Sequence, residues 1–292
     1  MATTKYPLRS VLYVPGNNTR ALNKVSSLAA DAFILDLEDG VGPAGKSEAR
    51  DNIKNFLKSR PQANYITVRV NALESEWVTD DLDAFLENPP DAIVFPKFES
   101  VEEVKAANNL LTKAGYGQDT RLWGMIETPP GVLNSGLIGA VGGRLECLVV
   151  GTSDLVKDLH AKHTMTREPI LFSLSLVVLV ARANGLAVID GVHLDINDEQ
   201  GLKLSCRQGA DMGFDGKTVI HPSQIAAANE AFSPSLKDIA EAEKITAAFE
   251  AATKDGKGVV LVDGKLVEAL HIENAKRILA LAEIIKDKIE SQ

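Results

Sequence analysis

Short, largely apolar runs recur along the 292-residue chain at Val11–Val14, Ala32–Leu37, Tyr65–Val70, Ala92–Phe95, Leu122–Ile126, Cys147–Val150, Ala187–Val192 and Thr218–Ile220. They are nearly continuous rather than alternating with polar residues, as parallel strands covered on both faces should be. Stretches with helical spacing separate them, such as Gly45–Leu57 and Val101–Ala114, with Ser47, Ser100 and Ser153 as N-cap candidates. Strand and helix alternate without any block of strands alone, which predicts βαβ units. Eight such units in about 220 residues fit a (β/α)8 barrel better than an open doubly wound sheet. The first strand is followed by Pro15-Gly16-Asn17-Asn18 instead of GxGxxG, so a dinucleotide fold loses its main support.

The barrel is expected to occupy residues 1–232, with 233–292 as a C-terminal extension. There, Ser235–Ala252 reads as a Glu/Lys/Ala-rich helix and Lys254–Gly258 as a glycine-rich turn. Val259–Val262 and Lys265–Val267 form a candidate hairpin around Asp263-Gly264, a dipeptide that favours such turns. His271–Ile289 reads as a long amphipathic helix. A closed barrel does not need this segment, which is expected to pack on its outside or against a neighbouring subunit.

Composition narrows the function. Hydrophobic residues make up 45% and charged residues 24% of the chain, the profile of an ordinary globular protein. The 31 Lys and Arg against 40 Asp and Glu leave a net charge of −9, with no basic excess to neutralise a nucleic-acid backbone. A local basic pocket for a small anion stays open. Two isolated cysteines, Cys147 and Cys206, rule out a disulfide framework and a cysteine-built metal cluster, and suit a reducing cytoplasm. No apolar run approaches the roughly 20 residues of a membrane span. A cytoplasmic protein without nucleic-acid or membrane partners is the expectation.

In a (β/α)8 barrel the chemistry sits at the carboxyl ends of the strands. These ends carry Asn17 after the first run, Asp36, Glu38 and Asp39 after the second, Arg69 and Asn71 on the third and Lys97 after the fourth. Glu127 follows the fifth run, Asp154 the sixth, Asp190 and His193 the seventh, and His221 the eighth. Ionised groups beside apolar runs need partners or a metal. Glu127 and Asp154, on consecutive ends, form the hard-oxygen pair that Mg²⁺ prefers, although Asp154 can equally cap a helix. Arg69, inside an apolar strand, is either the ion-pair partner of the second-strand acids or a clamp for a developing oxyanion. His160, His163 and His271 read as structural.

At this point the chain resembles the citrate lyase β-subunit-like acyl-CoA lyases, among them malyl-CoA and citramalyl-CoA lyases of the HpcH/HpaI aldolase superfamily. The resemblance rests on LRSVLYVPGNN (Leu8–Asn18), DLEDGV (Asp36–Val41), RVN (Arg69–Asn71), FPK (Phe95–Lys97), MIETPPGVLN (Met125–Asn134), GTSDL (Gly151–Leu155) and GFDGKTVIHPSQI (Gly213–Ile225), which follow the family order across almost the whole barrel. It implies a barrel of the phosphoenolpyruvate-binding type. It also implies Mg²⁺, with Mn²⁺ as the alternative, held by Glu127 and Asp154, and a substrate-binding Arg69. Arg9, Asn17 and Lys97 are implied as further substrate contacts, Arg9 and the Asn17–Arg20 loop on CoA phosphates. Glu38 and Asp39 join Arg69 in the catalytic set.

The family's extension carries a segment resembling DGKMID, often placed over a neighbouring subunit's site, whose Asp is catalytic. The match here is DGKLVE, Asp263–Glu268, with Glu268 where that Asp stands. The implied reaction is retro-Claisen cleavage of a 3-hydroxyacyl-CoA to an acyl-CoA and a 2-oxoacid, glyoxylate or pyruvate, with Glu268 as acid/base. A homotrimer or hexamer is implied. The alternatives are a metal-dependent aldolase on a CoA-free 4-hydroxy-2-oxoacid, a malyl-CoA thioesterase, and a binding barrel without catalysis.

Overall fold

The computed structural model describes residues 6–60, 64–254 and 259–290. It divides into two compact units, one built on Leu8–Phe232 and the other on the residues from Ser233 onward together with Tyr6 and Pro7. Lys254–Gly258, read above as a turn, falls largely outside the described residues, apart from Lys254 at the end of a helix.

The first unit is a closed barrel of eight parallel strands: β1 (Ser10–Pro15), β2 (Ala32–Asp36), β3 (Tyr65–Arg69), β4 (Ala92–Phe95), β5 (Arg121–Ile126), β6 (Leu145–Val150), β7 (Ala187–Asp190) and β8 (Gly216–Val219). Each pairs with the next in sequence, and β8 returns to β1, so no edge is left open. Residues of β2, β3, β4, β7 and β8 are buried throughout; most are apolar, and the charged ones, Asp36, Arg69, Asp190 and Lys217, are held in ion pairs.

The interior is layered from alternate strands. Near the amino-terminal end, Tyr65 of β3 stacks on Trp123 of β5 at 5.6 Å, and both donate to Glu146 of β6. Towards the carboxyl end, Tyr13 of β1, Arg69 of β3 and Met125 of β5 meet: the guanidinium lies 5.0 Å from the Tyr13 ring centre and Nη1 is 3.8 Å from the Met125 sulfur.

Of the three N-cap candidates only Ser100 caps. Its hydroxyl accepts from Glu103 N–H and the Glu103 carboxylate accepts from Ser100 N–H, a reciprocal box that starts the helix Val101–Ala114. Ser47 and Ser153 are corrected to first-turn positions, behind caps at Gly45 and Gly151. A 3-10 turn runs directly into the first helix, and the second begins as soon as β6 ends.

The second unit holds the helices Leu236–Lys254 and Ala269–Glu290 and a hairpin of β9 (Val260–Val262) and β10 (Lys265–Val267). Asp263 and Gly264 both have positive φ, 48° and 79°, as the two-residue turn requires. No helix among the described residues is long and apolar enough to cross a membrane.

Candidate active site

The acidic run after β2 is organised by Asp36. Its carboxylate accepts from the N–H groups of Glu38 and Gly40 and pairs with both Nε and Nη2 of Arg69 at 2.7 Å. Burial alone would raise the Asp36 pKa, but Arg69 and the two N–H groups hold it below the ordinary carboxylate value. One alternative for Arg69 is thus realised: it is an ion-pair partner of the second-strand acids. Its remaining edge is directed elsewhere, with Nη1 2.9 Å from Glu38 Oε2.

Glu38 is the junction of the site. While Oε2 meets Arg69, Oε1 accepts from the Lys97 ammonium at 2.8 Å. Lys97 also lies 3.7 Å from Asp154 Oδ2, and its backbone N–H donates to Glu127 Oε1 at 2.9 Å. The structure therefore brings Glu38, Arg69, Lys97, Glu127 and Asp154 together at the carboxyl ends of β2 to β6. Asp39 and Asn17 are exposed on the same side of the barrel, following β2 and β1.

Glu127 is 2% exposed. Burial pushes its carboxyl from 4.5 up to about 7; Arg69 and Lys97 oppose that shift, while Glu38 and Asp154 add to it. Gly151 makes this position available, because a Cβ there would collide with the Glu127 side chain. The donor set fits a divalent hard cation: two carboxylates, Glu127 buried and Asp154 at 23% side-chain exposure. Among the described residues no group of three or more His, Cys, Asp or Glu is arranged to hold a metal.

Arg9 is not part of this face. It precedes β1 at the opposite end of the barrel, where Nε and Nη2 grip both oxygens of buried Asp31 at 2.7 and 2.9 Å. The expectation of phosphate contact is corrected: the guanidinium is committed to a buried ion pair. His193 is half-buried facing Asp198, and burial lowers its pKa. His221 is exposed and bonded to Ser223. Asp190 is enclosed by Arg167 and Lys217 in a separate buried cluster. Glu268, described within its own unit, is exposed just before the helix Ala269–Glu290, its N–H donating to His271 Nδ1.

Sequence reasoning missed two residues. Tyr13 looked like one more strand residue, yet its ring supports Arg69. Lys46 was not singled out, yet its buried ammonium donates to the carbonyls of Leu37 and Glu38 at 2.7 and 2.8 Å and fixes the acidic loop. A lysine eight residues beyond Glu38, at a helix start, was the available signal for it.

A family profile described as HpcH/HpaI aldolase/citrate lyase matches residues 9–222, the span of the barrel and its site. The chain belongs to this family. It is 46% identical over 286 residues, 98% of each chain, to a protein of Cereibacter sphaeroides named (3S)-malyl-CoA thioesterase. It is 35% identical to the mitochondrial citramalyl-CoA lyase of Homo sapiens, over 97% of this chain and 87% of that one. Among solved structures, the CitE protein of Mycobacterium tuberculosis in complex with magnesium, acetoacetate and coenzyme A superposes with a TM-score of 0.75 at 28% identity, covering 94% of this chain and 97% of that one.

Proposed function

We propose that the chain acts on a 3-hydroxyacyl-CoA thioester of the malyl-CoA type, with Mg²⁺ or Mn²⁺ at Glu127 and Asp154, and that it hydrolyses the thioester. The observation that carries the site is the gathering of Arg69, Lys97 and the Glu127–Asp154 pair at one barrel mouth. This arrangement suits a compact anionic acyl group whose carbonyl oxygen gains charge during reaction. The 46% identity with a named malyl-CoA thioesterase, end to end on both chains, favours hydrolysis. Carbon–carbon cleavage to an acyl-CoA and a 2-oxoacid is the second reading, favoured by the family and by the named citramalyl-CoA lyase.

A bound divalent cation would supply Lewis-acid polarisation and anchor the substrate's carboxylate and hydroxyl oxygens. Arg69 stabilises negative charge on the thioester oxygen, which develops in hydrolysis and in cleavage alike. Asp36 locks one edge of the guanidinium, Glu38 holds Nη1 and Tyr13 supports one face, so the positive charge of Arg69 is already fixed in place when substrate arrives. Lys97 adds charge for the substrate carboxylate. In hydrolysis, water adds to the carbonyl carbon, the carbon–sulfur bond breaks, and the proton lost by water goes to the departing thiolate. Glu268 is the carboxylate we assign to that proton transfer. A trimeric or hexameric assembly belongs to the same reading.

Product analysis tests it. With (3S)-malyl-CoA and Mg²⁺, hydrolysis yields malate and free CoA thiol in equal amounts, whereas cleavage yields glyoxylate and acetyl-CoA without free thiol. Formation of neither pair would contradict the substrate class.

A further inference from the structure

Lys97 combines two features that tend to occur together at functional sites. It is a non-glycine residue in the left-handed region, φ 55°, a conformation that disfavours an L side chain, and it stands at the centre of the site. That turn lets one residue serve two groups. Its N–H donates to Glu127 at 2.9 Å, while its ammonium reaches Glu38 at 2.8 Å and Asp154 at 3.7 Å. Burial pulls the ammonium's pKa down, but Glu38 more than offsets this, so Lys97 remains protonated. The second cation on Asp154, Lys157, donates to Oδ1 at 3.1 Å but is 68% exposed, so solvent screens its charge more than that of Lys97.

We propose that Lys97 is a built-in competitor of the divalent cation. The inference rests on the reading of Glu127 and Asp154 as the cation's carboxylates. With no metal held, the ammonium donates to Glu38 and offsets part of the charge of Asp154. When a cation takes Asp154, like-charge repulsion drives the ammonium off that carboxylate, and it keeps Glu38. The bare cation therefore binds more weakly than the carboxylates alone would bind it. An anionic substrate reverses this deficit, because its carboxylate pairs with the displaced ammonium. The lysine thus couples metal uptake to substrate uptake.

Mn²⁺ binding to chelator-treated protein at pH 8, followed by the loss of the free-ion paramagnetic resonance signal, tests this without turnover. Wild type is expected to bind Mn²⁺ and Glu127→Gln to lose that binding. Lys97→Met, which keeps the backbone N–H and the shape, is expected to bind Mn²⁺ roughly 10-fold more tightly, and Lys97→Arg to stay within about twofold of wild type. No binding by wild type, or binding untouched by Glu127→Gln, would sink the metal site and the inference with it. Binding lost in Glu127→Gln but equal or weaker in Lys97→Met overturns the inference alone. Equal tightening in Lys97→Arg and Lys97→Met also overturns it, since charge would not be the cause.

Discussion

Glu127 is costly to keep ionised. In metal-free protein the folded carboxyl titrates near 7 against its ordinary 4.5, so the folded state holds the proton more tightly than the unfolded chain. The stability from this group is complete below about 4.5 and is lost as pH rises through 7. Chelator-treated Glu127→Gln should therefore exceed wild type in unfolding free energy by roughly 2–3 kcal/mol at pH 8, and by much less at pH 5. Urea denaturation at the two pH values checks it, and equal differences at both would refute the burial argument. At this scale the sequence exposed the charged residues and hid their directions. Glu127 and Arg69 stood out because an ionised group within or beside an apolar run demands a partner. Arg9 was assigned to CoA phosphate by resemblance alone; a residue just before a strand lies at the other end of the barrel, where it pairs with Asp31. Tyr13 meets Arg69 across the barrel interior, a contact that neither strand's composition encodes.

Two glycines separate what an element needs from what the site needs. Gly136, in the helix Pro129–Gly139, is exposed, and a Cβ there would meet nothing within 4 Å. Gly136→Ala should stabilise the protein by roughly 0.5–1 kcal/mol with turnover unchanged. Gly151 caps the helix Thr152–Asp158 directly beneath Glu127, and the same change there forces the carboxylate or β6 to move. Gly151→Ala should destabilise by about 1–3 kcal/mol and weaken cation binding. Thermal unfolding and Mn²⁺ titration of the pair give opposite signs if this is right; a harmless Gly151→Ala would contradict the packing described. Strand positions were readable because buried parallel strands have little room for polar residues. Helix starts were less readable: Ser47 and Ser153 have cap chemistry, yet the chain turns one or two residues earlier. Ser100 succeeded because Glu103 supplied the reciprocal half of its cap.

For the molecule as a whole, eight repeats and the absence of a phosphate loop led from sequence to a closed barrel, and barrel architecture then located the site. Five strand ends contribute to one cluster that no contiguous motif contains, so its members were legible singly and their junction at Glu38 was not. Lys97 illustrates the gap: its left-handed turn presents its N–H to Glu127, 30 residues away in sequence. In the function proposed above, Glu127 and Asp154 hold the cation on which turnover of a CoA thioester depends. The most direct measurement is the consumption of (3S)-malyl-CoA by chelator-treated protein as Mg²⁺ is returned, for wild type and for Asp154→Asn. We predict negligible turnover without metal, saturable recovery in wild type, and recovery lower by about 10²-fold or more in Asp154→Asn with its circular dichroism preserved. Full turnover in excess chelator, or an Asp154→Asn protein that recovers as wild type does, would contradict the account.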